Sequence, residues 1–219
     1  MATLGEVKQQ LRKSIQIRLN RVSHEDVSTQ SQKVTNIILA MPEYQAAKSV
    51  AIYLSMPTGE VSTRDIVANA LSQGKKVYVP YLVKNSQQDH AARKSKMAML
   101  SLHPQEDLKA LKPDKWGIPS LDPTSVGQRD DALGKGKLDM ILVPGMAFDH
   151  GRRRLGHGKG FYDRFLWEYR NSLAEYSEHP KMPSLVALAL RQQILPIEEK
   201  IPVGEHDWPM DVVVSAPEA

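Results

Sequence analysis

The sequence predicts an α/β fold: a three-layer, Rossmann-like sandwich with a mainly parallel central sheet and a helical hairpin at its N-terminus. Three observations lead there. The β-rich run "VAIYL" (Val50 to Leu54) is followed by a turn, a helical stretch and the strand-like "KVYVPYLV", the order of a βαβ unit and so of two parallel strands. "LDMILVP" (Leu138 to Pro144) and "SLVALAL" (Ser184 to Leu190) are almost continuously apolar, as strands covered on both faces are. Before these, apolar residues recur every three or four positions, the helical period.

The first helix is expected to carry Leu4, Val7, Leu11, Ile15, Leu19 and Val22 as one stripe, with Lys8, Arg12, Lys13, Arg18 and Arg21 on other faces. A basic amphipathic start poor in acids is also how a mitochondrial transit peptide reads. Here, however, it runs into "SHED", where Ser23 and Asp26 form a capping signal for a second helix bearing Val27, Val34, Ile37, Ile38 and Met41, so a retained hairpin is expected. After "VAIYL" comes a Pro-Thr-Gly turn, a cap at Ser62 with Asp65, and a helix through Ile66, Val67, Ala70 and Leu71 stopped by Gly74. "KMAML" (Lys96 to Leu100) is a weaker strand after a polar loop, "KNSQQDHAARKS", expected to be mobile. "KPDKWGIPSLDPTSVG" reads as an ordered crossover loop and "DVVVS" as a last strand. With no repeat and no long linker, residues 1–219 are expected to form one domain.

Composition bounds the function. The chain is 41% hydrophobic and 25% charged, with no cysteine and a formal charge of +4. Disulfide and thiolate chemistry are excluded, and a reducing, cytoplasmic location suits the chain. The excess charge is concentrated in the first 21 residues and in His150 to Lys159, which points to local anion binding and not to a nucleic-acid partner. No apolar run approaches the roughly 20 residues that span a bilayer, so no membrane role is expected.

The most informative stretch is "DHGRRRLGHGKGFYDRFL", Asp149 to Leu166. It lies between a buried strand and a helix, at the carboxyl end of a strand, where open α/β sheets hold ligands. Gly156, Gly158 and Gly160 let backbone N–H groups turn toward an anion, and the helix that follows adds the positive end of its dipole. A phosphate is the natural guest. The pattern is neither G-x-x-x-x-G-K-[ST], because Arg153 stands five before Gly158, nor G-x-G-x-x-G, because Asp163 replaces the third glycine.

"VPGMAFDHGRRRLGHGKGFYDRFL" resembles the signature of the 5-formyltetrahydrofolate cyclo-ligases, also called methenyltetrahydrofolate synthetases. "KQQLR", "YLSMPTGEVST", "KWGIPS" and "IPVGEHDWPMDVVVS" follow the family's order, so the resemblance spans nearly the whole chain. It implies ATP- and magnesium-dependent cyclisation of 5-formyltetrahydrofolate, with or without a polyglutamate tail, to 5,10-methenyltetrahydrofolate. The γ-phosphate passes to the formyl oxygen, the 10-nitrogen attacks, and ADP and phosphate are released. Such chemistry needs phosphate clamps, a divalent ion and placement of the acceptor.

The resemblance also implies roles. Lys8 and Arg12, four apart on one helical face, reach the nucleotide phosphates; Arg154 and Lys159 hold the γ-phosphoryl group, and Tyr162 lies near it. The nucleotide segment runs Arg154, Leu155, Gly156, His157, Gly158, Lys159, Gly160, Phe161, Tyr162, and its His157 to Phe161 part also meets the folate. Asp163 and Asp207 are the implied magnesium carboxylates. Glu60 would accept folate N–H groups, Leu54 would form an apolar wall and Trp116 a stacking surface. On residue type alone, Trp116 reads as a plug under a loop, Asp163 as a helix-dipole partner, and Lys8 with Arg12 as solvated charges. Arg152 and Arg153 receive no role, and Arg152 is expected to be nearly silent surface charge. A catalytically silent RNA-binding relative, or an isomerase or acyl-CoA transferase on a similar fold, are the rival classes. The first lacks a reason for both aspartates; a transferase would need a glutamate nucleophile at a glycine-rich strand end. A monomer is expected.

Overall fold

The structure is a computed structural model that describes residues 2–83, 96–103, 106–134, 137–174 and 181–217. The polar loop at 84–95, expected to be mobile, lies outside the described residues. Helix α1 (Leu4–Leu19) opens with a reciprocal cap between Thr3 and Glu6, and α2 (His24–Ala40) begins at Ser23, whose hydroxyl accepts from the Asp26 amide. Of the expected α1 stripe only Ile15 and Leu19 are buried; Leu4 and Val7 are exposed and Val22 lies past the helix end. The short α3 (Pro42–Ala46) leads into strand β1 (Ser49–Ile52). Helix α4 (Arg64–Ser72) corrects one detail: its N-cap is Thr63, not Ser62, and Thr63 makes no capping bond. Its hydroxyl donates to the Tyr53 carbonyl and so closes the loop that follows β1.

Strands β2 (Lys76–Val83) and β3 (Lys96–Leu102) pair antiparallel. The crossover that follows contains α5 (Glu106–Ala110) and a small ladder of β4 (Lys112–Pro113) and β5 (Pro119–Ser120). Next come β6 (Met140–Val143), a second ladder of β7 (Ala147–Phe148) and β8 (Arg154–Leu155), α6 (Phe161–Ala174), β9 (Ser184–Ala189) and β10 (Val212–Ser215). The central sheet runs β10-β9-β6-β1-β2-β3, and every neighbouring pair except β2–β3 is parallel.

Period-two alternation sorts the strand residues onto two faces. Val50, Ile52, Met140, Leu142, Val186 and Leu188 pack with Ile15, Leu19, Val34 and Ile38 of the N-terminal hairpin and with α4. Ala51, Ile141, Val143, Leu185 and Ala187 pack instead with Phe165, Leu166 and Tyr169 of α6. Three layers result, as the buried apolar strands require. No helix among the described residues is long and apolar enough to cross a membrane.

The strand order also sets where a ligand can sit. From β1 the chain moves to β2 on one side, whereas β6 lies on the other. The loops leaving the carboxyl ends of β1 and β6 therefore diverge and leave a crevice between them. The glycine-rich stretch leaves β6 and the Glu60 loop leaves β1, so topology alone brings them face to face.

Candidate active site

On the β1 side, Leu54 is buried as the strand ends. The Tyr53 hydroxyl donates to the Val61 carbonyl at 3.0 Å, pinning the loop back on itself. Glu60 is buried; one carboxylate oxygen accepts the Met56 amide at 2.9 Å, and the other lies 3.3 Å from Nε2 of His157 on the opposite loop. Trp116, in the β4–β5 turn, is 53% exposed, with the Lys115 ammonium 4.1 Å from its ring centre. The turn seats on the Glu60 loop, since a Cβ at Gly117 would come within 2.7 Å of Pro57 Cγ. An indole this exposed is not the hydrophobic plug that residue type suggests.

On the β6 side, Arg154 is only 6% exposed. One guanidinium nitrogen donates to Asp163 at 2.6 Å, another to the Pro144 carbonyl at 3.3 Å, and Nε is buried with no acceptor. Gly156 permits this packing, because a Cβ there would stand 3.0 Å from the guanidinium. Gly158 adopts φ 90°, in the region glycine tolerates, and the Arg12 guanidinium lies against it. Arg12 reaches across from α1 and donates through Nε to the Gly156 carbonyl at 2.8 Å. Lys159 and His157 are exposed on the loop, and Gly160 leads into α6. Leu155 turns its side chain into the core, and its carbonyl accepts the Met146 amide. Phe161 packs partly into the α6-side core, with the Arg164 guanidinium 5.5 Å from its ring.

Two carboxylates meet these cations. Asp163, in the first turn of α6, pairs with Arg154. Asp207 accepts from the Lys8 ammonium at 2.6 Å and from the Gly204 amide. Burial alone would raise the Asp207 pKa, but the Gly204 N–H, Lys8 and the charge of Arg154 together hold it below the usual carboxylate range. Lys8, Arg12, Arg154, Asp163 and Asp207 thus form one alternating cluster drawn from α1, β8, α6 and the C-terminal loop.

Tyr162 borders this cluster. Its hydroxyl is buried without a hydrogen-bond partner, and its ring lies 5.8 Å from the Arg154 guanidinium carbon. Burial, reinforced by Glu60 and only partly opposed by Arg154, pushes the phenol far above its ordinary pKa, so it is a neutral donor.

Sequence reasoning passed over Asp149 and misjudged Arg152. Asp149 is 4% exposed and accepts the Arg153 amide at 3.0 Å, the Arg153 guanidinium at 3.2 Å and the Ile201 amide at 2.9 Å. Burial disfavours its charge, but those donors prevail and its pKa falls below the ordinary value. Arg152 is not idle surface charge: it donates to the Asp211 carbonyl at 2.8 Å, and its own carbonyl accepts the Met210 amide at 2.9 Å. An aspartate four before an arginine was visible as a local pair; its reach to Ile201, 52 residues on, was not.

An open, mainly parallel sheet with a cation-lined glycine loop at its switch point defines an α/β protein with a cationic crevice at the carboxyl edge of the sheet. The model of the 5-formyltetrahydrofolate cyclo-ligase family matches residues 4–216. A probable 5-formyltetrahydrofolate cyclo-ligase of Caenorhabditis elegans is 33% identical, covering 98% of this chain and 95% of the relative. The 5-formyltetrahydrofolate cyclo-ligase of Mus musculus is 34% identical, covering 97% and 95%. Among solved structures, the Aquifex aeolicus 5,10-methenyltetrahydrofolate synthetase superposes with a TM-score of 0.65 at 27% identity, covering 94% of this chain and 88% of that one. The chain belongs to the 5-formyltetrahydrofolate cyclo-ligase family and is an enzyme of that class.

Proposed function

We propose that the chain cyclises 5-formyltetrahydrofolate to 5,10-methenyltetrahydrofolate with consumption of ATP, through a phosphorylated formyl intermediate. The observation that carries this reading is Arg154, a buried guanidinium whose Nε has no acceptor and which stands among Lys8, Arg12, Asp163 and Asp207. A buried unsatisfied donor is costly unless a ligand completes it, and a phosphoryl oxygen does so.

In the first step the formyl oxygen attacks the γ-phosphorus and ADP leaves. The 10-nitrogen then bonds to the formyl carbon and loses its proton, and the C–O bond breaks to release phosphate with the electron pair. Arg154 and Lys159 neutralise charge on the transferring group, where stabilisation that grows toward the transition state raises turnover. Lys8 and Arg12 bring α1 onto the remaining phosphates. Glu60 accepts folate N–H groups, Leu54 and Trp116 flank the ring, and Tyr162 donates its unpartnered hydroxyl near the reacting oxygen.

Magnesium fits the donor set. Arg154 engages one oxygen of Asp163, and Lys8 and Gly204 engage one oxygen of Asp207, which leaves each carboxylate a second oxygen. No group of three or more metal-binding side chains gathers among the described residues, as suits an ion that takes one or two carboxylates and completes its shell with phosphate oxygens and water. Bound there, it would neutralise charge on the phosphates. A cytoplasmic location is the one we infer, supported by the absence of cysteine and by α1 being part of the site, and we take the chain to act as a monomer. The test is absorbance of the methenyl product after mixing with 5-formyltetrahydrofolate. Product that needs both ATP and magnesium is expected; product without ATP, or none with both, refutes the reading.

A further inference from the structure

The turn from Asp149 to Arg153 holds both ends of a distant loop. At the near end, buried Asp149 accepts the Ile201 amide. At the far end, the Arg152 carbonyl accepts the Met210 amide and the Arg152 guanidinium donates to the Asp211 carbonyl. Ile201 and Met210 are themselves buried, in the cores on opposite faces of the sheet. Asp211 is fixed in turn, exchanging bonds with the Leu185 backbone at the start of β9. Between these anchors runs 202–209, and on it Asp207, facing Lys8.

The turn is itself tightly determined. The Arg152 amide donates to the Asp149 carbonyl, the Asp149 amide to the Arg153 carbonyl, and the Arg153 amide and one guanidinium nitrogen return to the Asp149 carboxylate. Arg152 sits at φ 61° and is the sole non-glycine residue with positive φ among the described residues. A left-handed arginine is sterically disfavoured, and glycine would fit without strain. What glycine lacks is the guanidinium that reaches Asp211.

We infer that Asp149 and Arg152 are positioning residues that staple the 201–211 loop to the turn preceding Arg154, so fixing Asp207 relative to Arg154. Neither touches the reacting atoms. The staple sets the separation between the phosphate-binding cation on β8 and the carboxylate on the C-terminal loop, two groups 53 residues apart that no local structure links. Its functional consequence rests on the proposed nucleotide site; its physical existence does not.

The discriminating variant is Arg152→Gly. It relieves the left-handed strain and keeps the backbone bond to Met210 but deletes the bond to Asp211, so its melting temperature stays level or rises. Hydrogen–deuterium exchange of the unliganded protein should quicken in 202–209 and stay unchanged in β6 and β9. The KM for magnesium-ATP should rise about tenfold, the size typical of losing a group that orients a ligating residue, while the KM for the folate and kcat change little. Arg152→Lys, which keeps one donor, should recover part of the loss. Asp149→Asn should quicken exchange at the Ile201 end, and if it fails to fold the glycine variant still decides. Unchanged exchange in 202–209 of Arg152→Gly overturns the staple. Quickened exchange with unchanged nucleotide KM overturns its positioning role. Failure of the nucleotide reading itself would show separately, as wild-type turnover without ATP.

Discussion

The two edges of the central sheet are both rich in positive charge, and they differ in how that charge is partnered. At the amino edge a cavity of ≈ 730 Å³ is lined by Lys48, Lys75, Lys76, Lys137, Tyr78 and Asp139, among others. Its charges are satisfied by backbone or open to water. Lys75 donates to the Ala47 and Gln45 carbonyls and lies 5.0 Å from the Tyr44 ring centre. Asp139 accepts the amides of Lys48 and Ser49, and the unpartnered group there is the neutral Ser49 hydroxyl. At the carboxyl edge the cations come from separate elements, Arg154 is buried with a donor to spare, and carboxylates face it from α6 and the C-terminal loop. Cationic density alone does not make a site. A buried cationic donor without an acceptor, glycines that admit close approach, and convergence of distant segments are what set the carboxyl edge apart.

The sharpest way to break this contrast is Arg154→Lys, which keeps the charge but loses the planar fork. Turnover should fall about 10²–10³-fold, as on removal of one donor to transition-state charge; a loss no greater than that of an amino-edge variant would erase the distinction. Asp163→Asn should lower kcat about 10–100-fold with a much smaller effect on metal-free folate binding. A loss of thermal stability that accounts for the lost activity would return Asp163 to a helix-dipole role.

Acid titration sharpens the contrast further. Asp149 and Asp207 have depressed pKa values in the folded state. Their stabilisation is therefore complete above the unfolded value of about 3.9 and is lost as pH falls through the lower folded values. Urea midpoints should drop as pH falls below about 4, and the drop should be smaller in Asp207→Asn. An equal drop in the variant would mean that Lys8 and Gly204 do not hold that carboxylate. The smallest effect belongs to the amino edge, where Lys76→Ala should change stability by only a few tenths of a kcal/mol and leave kcat/KM unchanged in steady-state assays.

Much of this architecture was legible in the chain. The runs "VAIYL", "LDMILVP" and "SLVALAL" announce β1, β6 and β9 because strands buried on both faces need continuous apolar sequence, and the βαβ order sets their parallel sense. The antiparallel sense of β3 was not readable, since pairing at a sheet edge depends on non-local packing. Nor was the exposure of Leu4 and Val7, which continue the helical period beyond the core that α1 covers. In the site, Gly156 and Gly158 stood out because alternate glycines beside arginines are a local signal, and the resemblance singled out Arg154 from its neighbours. Lys8 and Asp207 entered the site as separate readings from the resemblance, while their ion pair and the hold of Asp149 on Ile201 came only from the fold. Arg152 was misjudged because residue type says nothing of a left-handed backbone or of a carbonyl 59 residues away.

The central claim is that the carboxyl edge transfers a phosphoryl group to the formyl oxygen, and an oxygen label tests it most directly. Substrate carrying ¹⁸O in the formyl group is turned over with ATP and magnesium in ordinary water, and the inorganic phosphate is analysed by mass. One labelled oxygen in each phosphate released, matched to methenyl product formed, is the result expected. Unlabelled phosphate, with the ¹⁸O recovered in water, would contradict the account.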